Sequence, residues 1–332
     1  MISRAICLTL LATIVISTAA SRPAEAQITE AFVSRNGADT NNNCATATSP
    51  CRSLQRAHDQ ITSNGQITIL DTGEFFSVEI TKSVSIINDS GGIATTVDNA
   101  VAPSATESAP IVILAGPSDV VTLRGLTLNP SIGSSAFSGL IVNNAHQVNI
   151  QNCTILNALN GILVAPSTLN HAGLTLTSAI NLKVQDTTLV GNGTGMKITS
   201  VPPGVAVDAV VNRTQIDNNV GGGLRADGTS GGSITVDLVD SSVSLNGGNG
   251  INAIAGAGQN MVTIKNSVVA KNAVAGVQAN GANAAVLLVN TLLDQNVAGA
   301  TSIVGNGHIV TYGNNQIVGS PGSGFNGTAA LQ

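Results

Sequence analysis

The phrases VVNRTQIDNNVGGGL (210–224), DLVDSSVSLNGGNGI (237–251), TIKNSVVAKNAVAGV (263–277) and LLVNTLLDQNVAGAT (287–301) repeat one pattern. Each reads as a short apolar strand, a polar corner residue, a second short strand, then Asn, Gly and a third strand. The corner residue that sets the register is Asn152, Asp186, Arg213, Asp240, Asn266, Asn290 and Asn314, giving steps of 34, 27, 27, 26, 24 and 24 residues. A unit of this size cannot bury its apolar face alone, so successive units must stack into a solenoid.

Within a unit the apolar residues alternate with period two, as in a strand with one face inward. Two and four residues before the register stand Val148 and Ile150, Leu182 and Val184, Val262 and Ile264, Val286 and Leu288, and Val310 and Tyr312. Three residues after it runs the column Ile155, Leu189, Ile216, Val243, Val269, Leu293 and Ile317. Six residues after it stand Asn192, Asn219, Asn246, Asn272 and Asn296, followed by Gly195, Gly223, Gly250, Gly276 and Gly299. Asn and Gly tolerate positive φ, so both are assigned to corners. The third strand then points Ile162, Met196, Leu224, Ile251 and Val277 inward. Three strands and three corners per turn describe an all-β parallel β-helix. Stacked register residues, Asn152, Asp186, Asp240, Asn266, Asn290 and Asn314, are expected to form a structural ladder, with Arg213 interrupting it.

Composition agrees. Five Phe, one Tyr and no Trp are too few for an ordinary globular core, whereas a narrow lumen filled by Val, Ile, Leu and Ala needs none. Charged residues are 9% of the chain and Gly numbers 36, which excludes an amphipathic helical repeat. The net charge of −5, with no basic stripe and few stacking groups, argues against a nucleic-acid partner.

Residues 1–26 carry an early Arg, an apolar run and a small-residue end at Ala24-Glu25-Ala26, the pattern of a cleaved export signal. No integral membrane segment is expected after its removal, and the mature protein is expected to be secreted or periplasmic. In an oxidising compartment Cys44 and Cys51, flanking a short loop, are expected to form a disulfide. Cys153 follows the register Asn152 and reads as a buried structural thiol. Residues 52–64 read as a helix ended by Asn64-Gly65, placed to cap the open solenoid, with His58 on its solvated side. The organisation is thus a signal (1–26), an N-terminal strand and capping helix (27–65), the β-helix (66–320) and a tail (321–332). Segments 88–110 and 199–208 read as protruding loops, and an insertion is placed near 166–174.

The stretches FVSRNGADTNNNCATATSPCRSLQRAHD (32–59) and GQITILDTGEFFSVEITKSVSI (65–86), with Gly37, Asp39, Gly73 and Phe75, resemble the N-terminal module of secreted bacterial β-helix proteins. With the coils, nearly all of the mature chain resembles the pectin lyase-like right-handed parallel β-helix superfamily. The resemblance implies the fold. It leaves activity open, because the superfamily includes lyases, hydrolases, epimerases, tailspikes and adhesins.

Chemistry is sparse. Glycosidases need paired carboxylates, yet the mature chain has only Glu30, Glu74, Glu79 and Glu107, all before the regular coils, and no Asp-Asp pair. The cysteines and His58, His146, His171 and His308 fall in unrelated contexts, so no metal centre is expected. One column stands out on the third strand, where the outward positions are Ile141, Leu163, Lys197, Arg225, Asn252, Gln278 and Thr301, with Asp227 nearby. Adjacent basic groups suit an anionic sugar. The resulting expectation is an exported, non-catalytic protein binding polysaccharide or envelope glycan through Lys197, Arg225, Asp227, Asn252 and Gln278. Two alternatives stand beside it. A polysaccharide lyase would use Lys197 or Arg225 as catalytic base, with calcium as the only cofactor in question; an assembly unit such as an adhesin or spike subunit would use a flat face. Nothing in the sequence selects an oligomeric state.

Overall fold

The computed structural model describes residues 28–90, 94–96, 101–104, 107–130, 137–166, 179–199, 201–322 and 324–329. The signal segment and the insertion near 166–174 fall almost wholly outside them. The chain winds through three parallel sheets of 12, 10 and 9 strands, each coil contributing one strand to each sheet. Equivalent strands pair in register from coil to coil, as in Leu182↔Ala209, Leu189↔Ile216 and Met196↔Leu224.

The lumen is a single column of Val, Ile, Leu and Ala. Every inward residue expected on the third strand, Ile162, Met196, Leu224, Ile251 and Val277, is at most 1% exposed. The column from Ile155 to Leu293 is equally buried, and only its last member, Ile317, reaches the surface. One coil departs from expectation: Val286 and Leu288 pair with Ile309 and Thr311, so these face inward in place of Val310 and Tyr312. The cause is one extra corner residue. Leu288 to Leu293 is matched by Thr311 to Ile317, and Gly313 takes a φ of 80° to absorb the insertion.

Two corners use left-handed backbone. The register residues Asn152, Asp186, Arg213, Asp240, Asn266 and Asn290 all have φ between 46° and 50°, which explains the run of Asn and Asp there. At the second corner the left-handed residue is the one before the column position: Asn157 before Ala158, then Gly191, Asn218, Leu245, Lys271 and Gln295 before the successive Asn residues, with φ from 48° to 67°. The Asn column itself forms the buried ladder. Asn192, Asn219, Asn246, Asn272 and Asn296 are 0–1% exposed. Each side-chain amide donates to the next Asn oxygen at 2.9–3.1 Å, and Ser320 Oγ closes the series by accepting the Asn296 N–H at 2.9 Å. The second amide hydrogen donates back to a carbonyl, such as Ile216 O from Asn246 at 3.0 Å, so both donors are used.

The register column expected to be the ladder is instead an exposed edge. It is joined in places, by Asn290 Nδ2 donating to Asn266 Oδ1 at 3.0 Å and Asn314 Oδ1 accepting the Asn290 N–H at 2.9 Å. Gly195, Gly223, Gly250 and Gly276 serve packing and not φ: a Cβ on Gly223 would lie 2.4 Å from Val243 and 2.6 Å from the Gly250 carbonyl. Beside the register residues a hydroxyl row links coils, with the Thr214 N–H donating to Ser241 Oγ and the Ser241 N–H to Ser267 Oγ, both at 3.1 Å. Cys153 begins this row as a buried thiol that donates to the Gln151 carbonyl at 3.3 Å.

At the N-terminal end the helix is shorter than expected, Leu54–Gln60, capped by Ser53 Oγ accepting the Arg56 N–H at 3.1 Å. Strand Ile61–Ile69 follows at once because Ile61 already pairs with Ile28 in the first sheet. The helix lies over the lumen, so His58 is 3% exposed and not solvated, and its Nε2 accepts the Thr81 N–H at 3.3 Å. The Cys44–Cys51 disulfide is present. Asp39 Oδ1 accepts the N–H groups of Arg52 at 2.7 Å and Ser53 at 3.1 Å, and Gly37 is required because a Cβ would meet the Cys51 carbonyl at 2.3 Å. Within 88–110, expected as loop, Ala94–Thr96 continues the second sheet, and Val101–Ser104 pairs antiparallel with Glu107–Ala109. Within 199–208, strand Ala206–Asn212 starts earlier than expected. No helix among the described residues is long and apolar enough to cross a membrane.

Two substitutions separate the roles of neighbouring corner residues. Asn246→Ala strands buried partners on both sides and should cost about 3 kcal/mol, whereas Leu245→Asn, on a half-exposed left-handed residue, should stabilise by about 1 kcal/mol. Denaturant unfolding followed by circular dichroism reads both. Removing the disulfide by Cys44→Ala and Cys51→Ala should cost about 2.5 kcal/mol from loop-closure entropy, measured in the same way.

Candidate functional site

The outer face of the third sheet carries the candidate residues in one row. Lys197 pairs with Arg225, Arg225 with Asn252, Asn252 with Gln278, and Gln278 with Ser302. The register read from the sequence therefore holds through four coils and slips at the fifth. Thr301 lies inward, paired with Val277 and 7% exposed, so Ser302 takes the outward place. The reason is local: Ala300, and not Gly299, occupies the corner position that Gly276 fills in the preceding coil.

Adjacent cations in this row differ in their surroundings. Arg225 Nη2 donates to Asp227 Oδ2 at 2.7 Å, the two residues sharing a face because they are two apart on strand Leu224–Gly228. Asp227 is 8% exposed, and its other oxygen accepts Thr229 Oγ1 at 2.7 Å and the Thr229 N–H at 3.2 Å. Burial alone pushes this carboxyl upward, but the bonds from Arg225 and Thr229 together outweigh it and hold the group below the usual carboxylate range. Lys197, partly exposed on strand Thr194–Ile198, has no acidic partner among the described residues.

Farther along the row the groups are neutral. Asn249 Nδ2 donates to Gln278 Oε1 at 3.1 Å, and Gln278 Nε2 donates to Ser302 Oγ at 3.1 Å. Asn252 Oδ1 has no partner among the described residues. A hollow of about 200 Å³ opens here, lined by Thr194, Gly222, Leu224, Arg225, Asn249 and Asn252. Gly222 lines it without a side chain, and a Cβ there would lie 3.2 Å from the Asn249 carbonyl oxygen. Asn249 and Gly222 were not singled out from sequence, although they fall two residues before inward positions of the repeat. A second hollow, about 210 Å³, lies along the exposed register corner by Asn266, Asn290, Thr291 and Asn314.

Among the described residues no three His, Cys, Asp or Glu side chains converge, and Asp227 is engaged by Arg225 and Thr229. Arg225 is ion-paired with Asp227. Cys153 is no nucleophile, since burial pushes its thiol up to about 11. At the register corner Asp186 receives Arg213 Nε at 2.7 Å and Nη2 at 2.9 Å, a bidentate pair that explains how Arg213 is accommodated in the Asn/Asp column.

Pectate lyase Pel9A superposes with a TM-score of 0.63 over 93% of this chain and 80% of its own, at 14% identity. The chain has the right-handed parallel β-helix fold. The periplasmic alginate epimerase AlgG aligns over 80% of this chain and 75% of its own at 12% identity, with a TM-score of 0.46. No protein-family profile and no curated protein sequence matches the chain. On this right-handed scaffold the row from Lys197 to Ser302 is a straight strip of one side chain per coil.

The Asp227 pairing has a pH signature. Its folded value is depressed, so its stabilisation is complete above the unfolded value of about 4 and is lost as pH falls through the folded value. Asp227→Asn should lower stability by about 1 kcal/mol or less at pH 7. Denaturation midpoints of the two proteins should converge below about pH 4.

Proposed function

We propose that the protein is an exported glycan-binding β-helix without catalytic activity, and that the outward row Lys197, Arg225, Asn252, Gln278 and Ser302 is its binding strip. The observation that carries this reading is the in-register row of one cation without an acidic partner, one paired cation and successive amides, flanking a hollow of about 200 Å³. Charged groups recognise an acidic sugar substituent, and amides spaced by about 4.8 Å bond to sugar hydroxyls. Export is supported by the leader-like residues 1–26 and by the Cys44–Cys51 disulfide, which persists only in an oxidising compartment. Fold neighbours that act on polysaccharides are compatible with a carbohydrate ligand.

Purified mature protein incubated with uronate-containing and neutral polysaccharides, with and without calcium, separates the readings. Binding of an acidic polysaccharide that is weakened by Lys197→Ala, without ultraviolet absorbance from unsaturated uronates, is the expected result. Unsaturated products abolished by Lys197→Ala or Arg225→Ala would replace the binding reading with a lyase. Neither binding nor product, with a stable oligomer in light scattering, would support an assembly unit.

A further inference from the structure

The outward row does not begin at Lys197. In register before it stand Val112, Ile141 and Leu163, pairing coil to coil up to Lys197. These three outward residues are 0%, 0% and 3% exposed. With Ala109, Leu114 and Ala165 they form an apolar cluster separate from the lumen. The antiparallel pair Val101–Ser104 and Glu107–Ala109 is fastened beside this face: Ser108 bridges to Phe137, and its carbonyl accepts the Ser138 N–H at 2.9 Å. The face is therefore closed on the N-terminal side of Lys197. In the other direction it stays open to Ser302 on the last strand of the sheet, Gly299–Val304. The open strip spans four coil steps, or about 19 Å at the strand spacing.

Charge is graded along the same strip. Lys197, at the closed end, lacks an acidic partner among the described residues; Arg225 is neutralised by Asp227; Asn252, Gln278 and Ser302 carry no charge. A polyanion lying across the face would need its cations repeated and both ends open. Resting on the glycan-binding reading above, we infer that the strip takes the end of a glycan chain, with an acidic terminal sugar at Lys197 and neutral sugars along Asn252, Gln278 and Ser302. The closed face excludes further residues beyond the terminal one, while the open end lets the chain continue.

Fluorescence anisotropy with labelled trigalacturonate tests this, using as competitors unlabelled trigalacturonate, polygalacturonate and a trisaccharide of two neutral hexoses ended by one glucuronate. At equal uronate concentration the trimer should outcompete the polymer in proportion to its greater number of chain ends, and the singly charged trisaccharide should compete within about threefold of the trimer, under 1 kcal/mol. Lys197→Ala should weaken trimer binding about tenfold, the loss of one charge-assisted contact, with circular dichroism confirming the fold. Competition that follows total uronate, or that requires all three carboxylates, would overturn end recognition while leaving glycan binding intact. Failure of every probe to bind would overturn the glycan-binding reading and this inference with it.

Discussion

The structure depends on the buried amide ladder from Asn192 to Asn296. A parallel β-helix has no short-range device that fixes how one coil sits on the next, since any strand can slide along its neighbour by two residues and keep its inward face. A buried Asn in each of five successive coils, Asn192 to Asn296, removes that freedom there. Each amide must find the next oxygen at about 3 Å, and a slipped coil would bury unpaired donors at about 1–3 kcal/mol apiece. The corner glycines enforce the same register sterically, because the amide of the following coil occupies the space that a Cβ at Gly195, Gly223 or Gly250 would need. The ladder also holds the strained left-handed backbone at Leu245, Lys271 and Gln295, none of which favours positive φ by itself.

Register at the corner becomes surface pattern on the face. With coils locked in register, an outward position in one repeat lies directly above the same position in the next, and the outer surface of each sheet becomes a set of straight rows. The row through Lys197 is one such strip. Its chemistry changes along the axis, from buried Val112, Ile141 and Leu163 to the cations and then to amides, and the hairpin of Val101–Ser104 and Glu107–Ala109 sits beside the buried end. The last regular coils, with steps of 24 residues, have no length to spare for such cover. A uniform scaffold thus acquires a closed end and an open end from coil length alone.

Much of this was legible in sequence because the repeat is strict where burial is strict. The inward columns and the Lys197 to Gln278 row follow from counting. The errors fall where one residue is gained or exchanged without a change in composition: Ala300 in the corner place of Gly276, and the extra residue at Gly313, each of which flips the facing of a strand. Asn identity at the two corners does not distinguish left-handed backbone from a buried side chain, since Asn suits both, so counting alone places the ladder on the exposed register column. The helix end and the burial of His58 are set by tertiary pairing of Ile61 with Ile28 and by docking over the lumen, neither of which leaves a local signal. Apolar residues at the outward positions 141 and 163 were the available sign that something covers that face.

The most direct test of the account is a crystal structure of the protein soaked with trigalacturonate. The account predicts density along the outer face of the third sheet, with one carboxylate within hydrogen-bond distance of Lys197 Nζ and the chain running over Asn252 toward Ser302. Density confined to the register corner beside Asn290, or to the outer face of the first sheet, would contradict it.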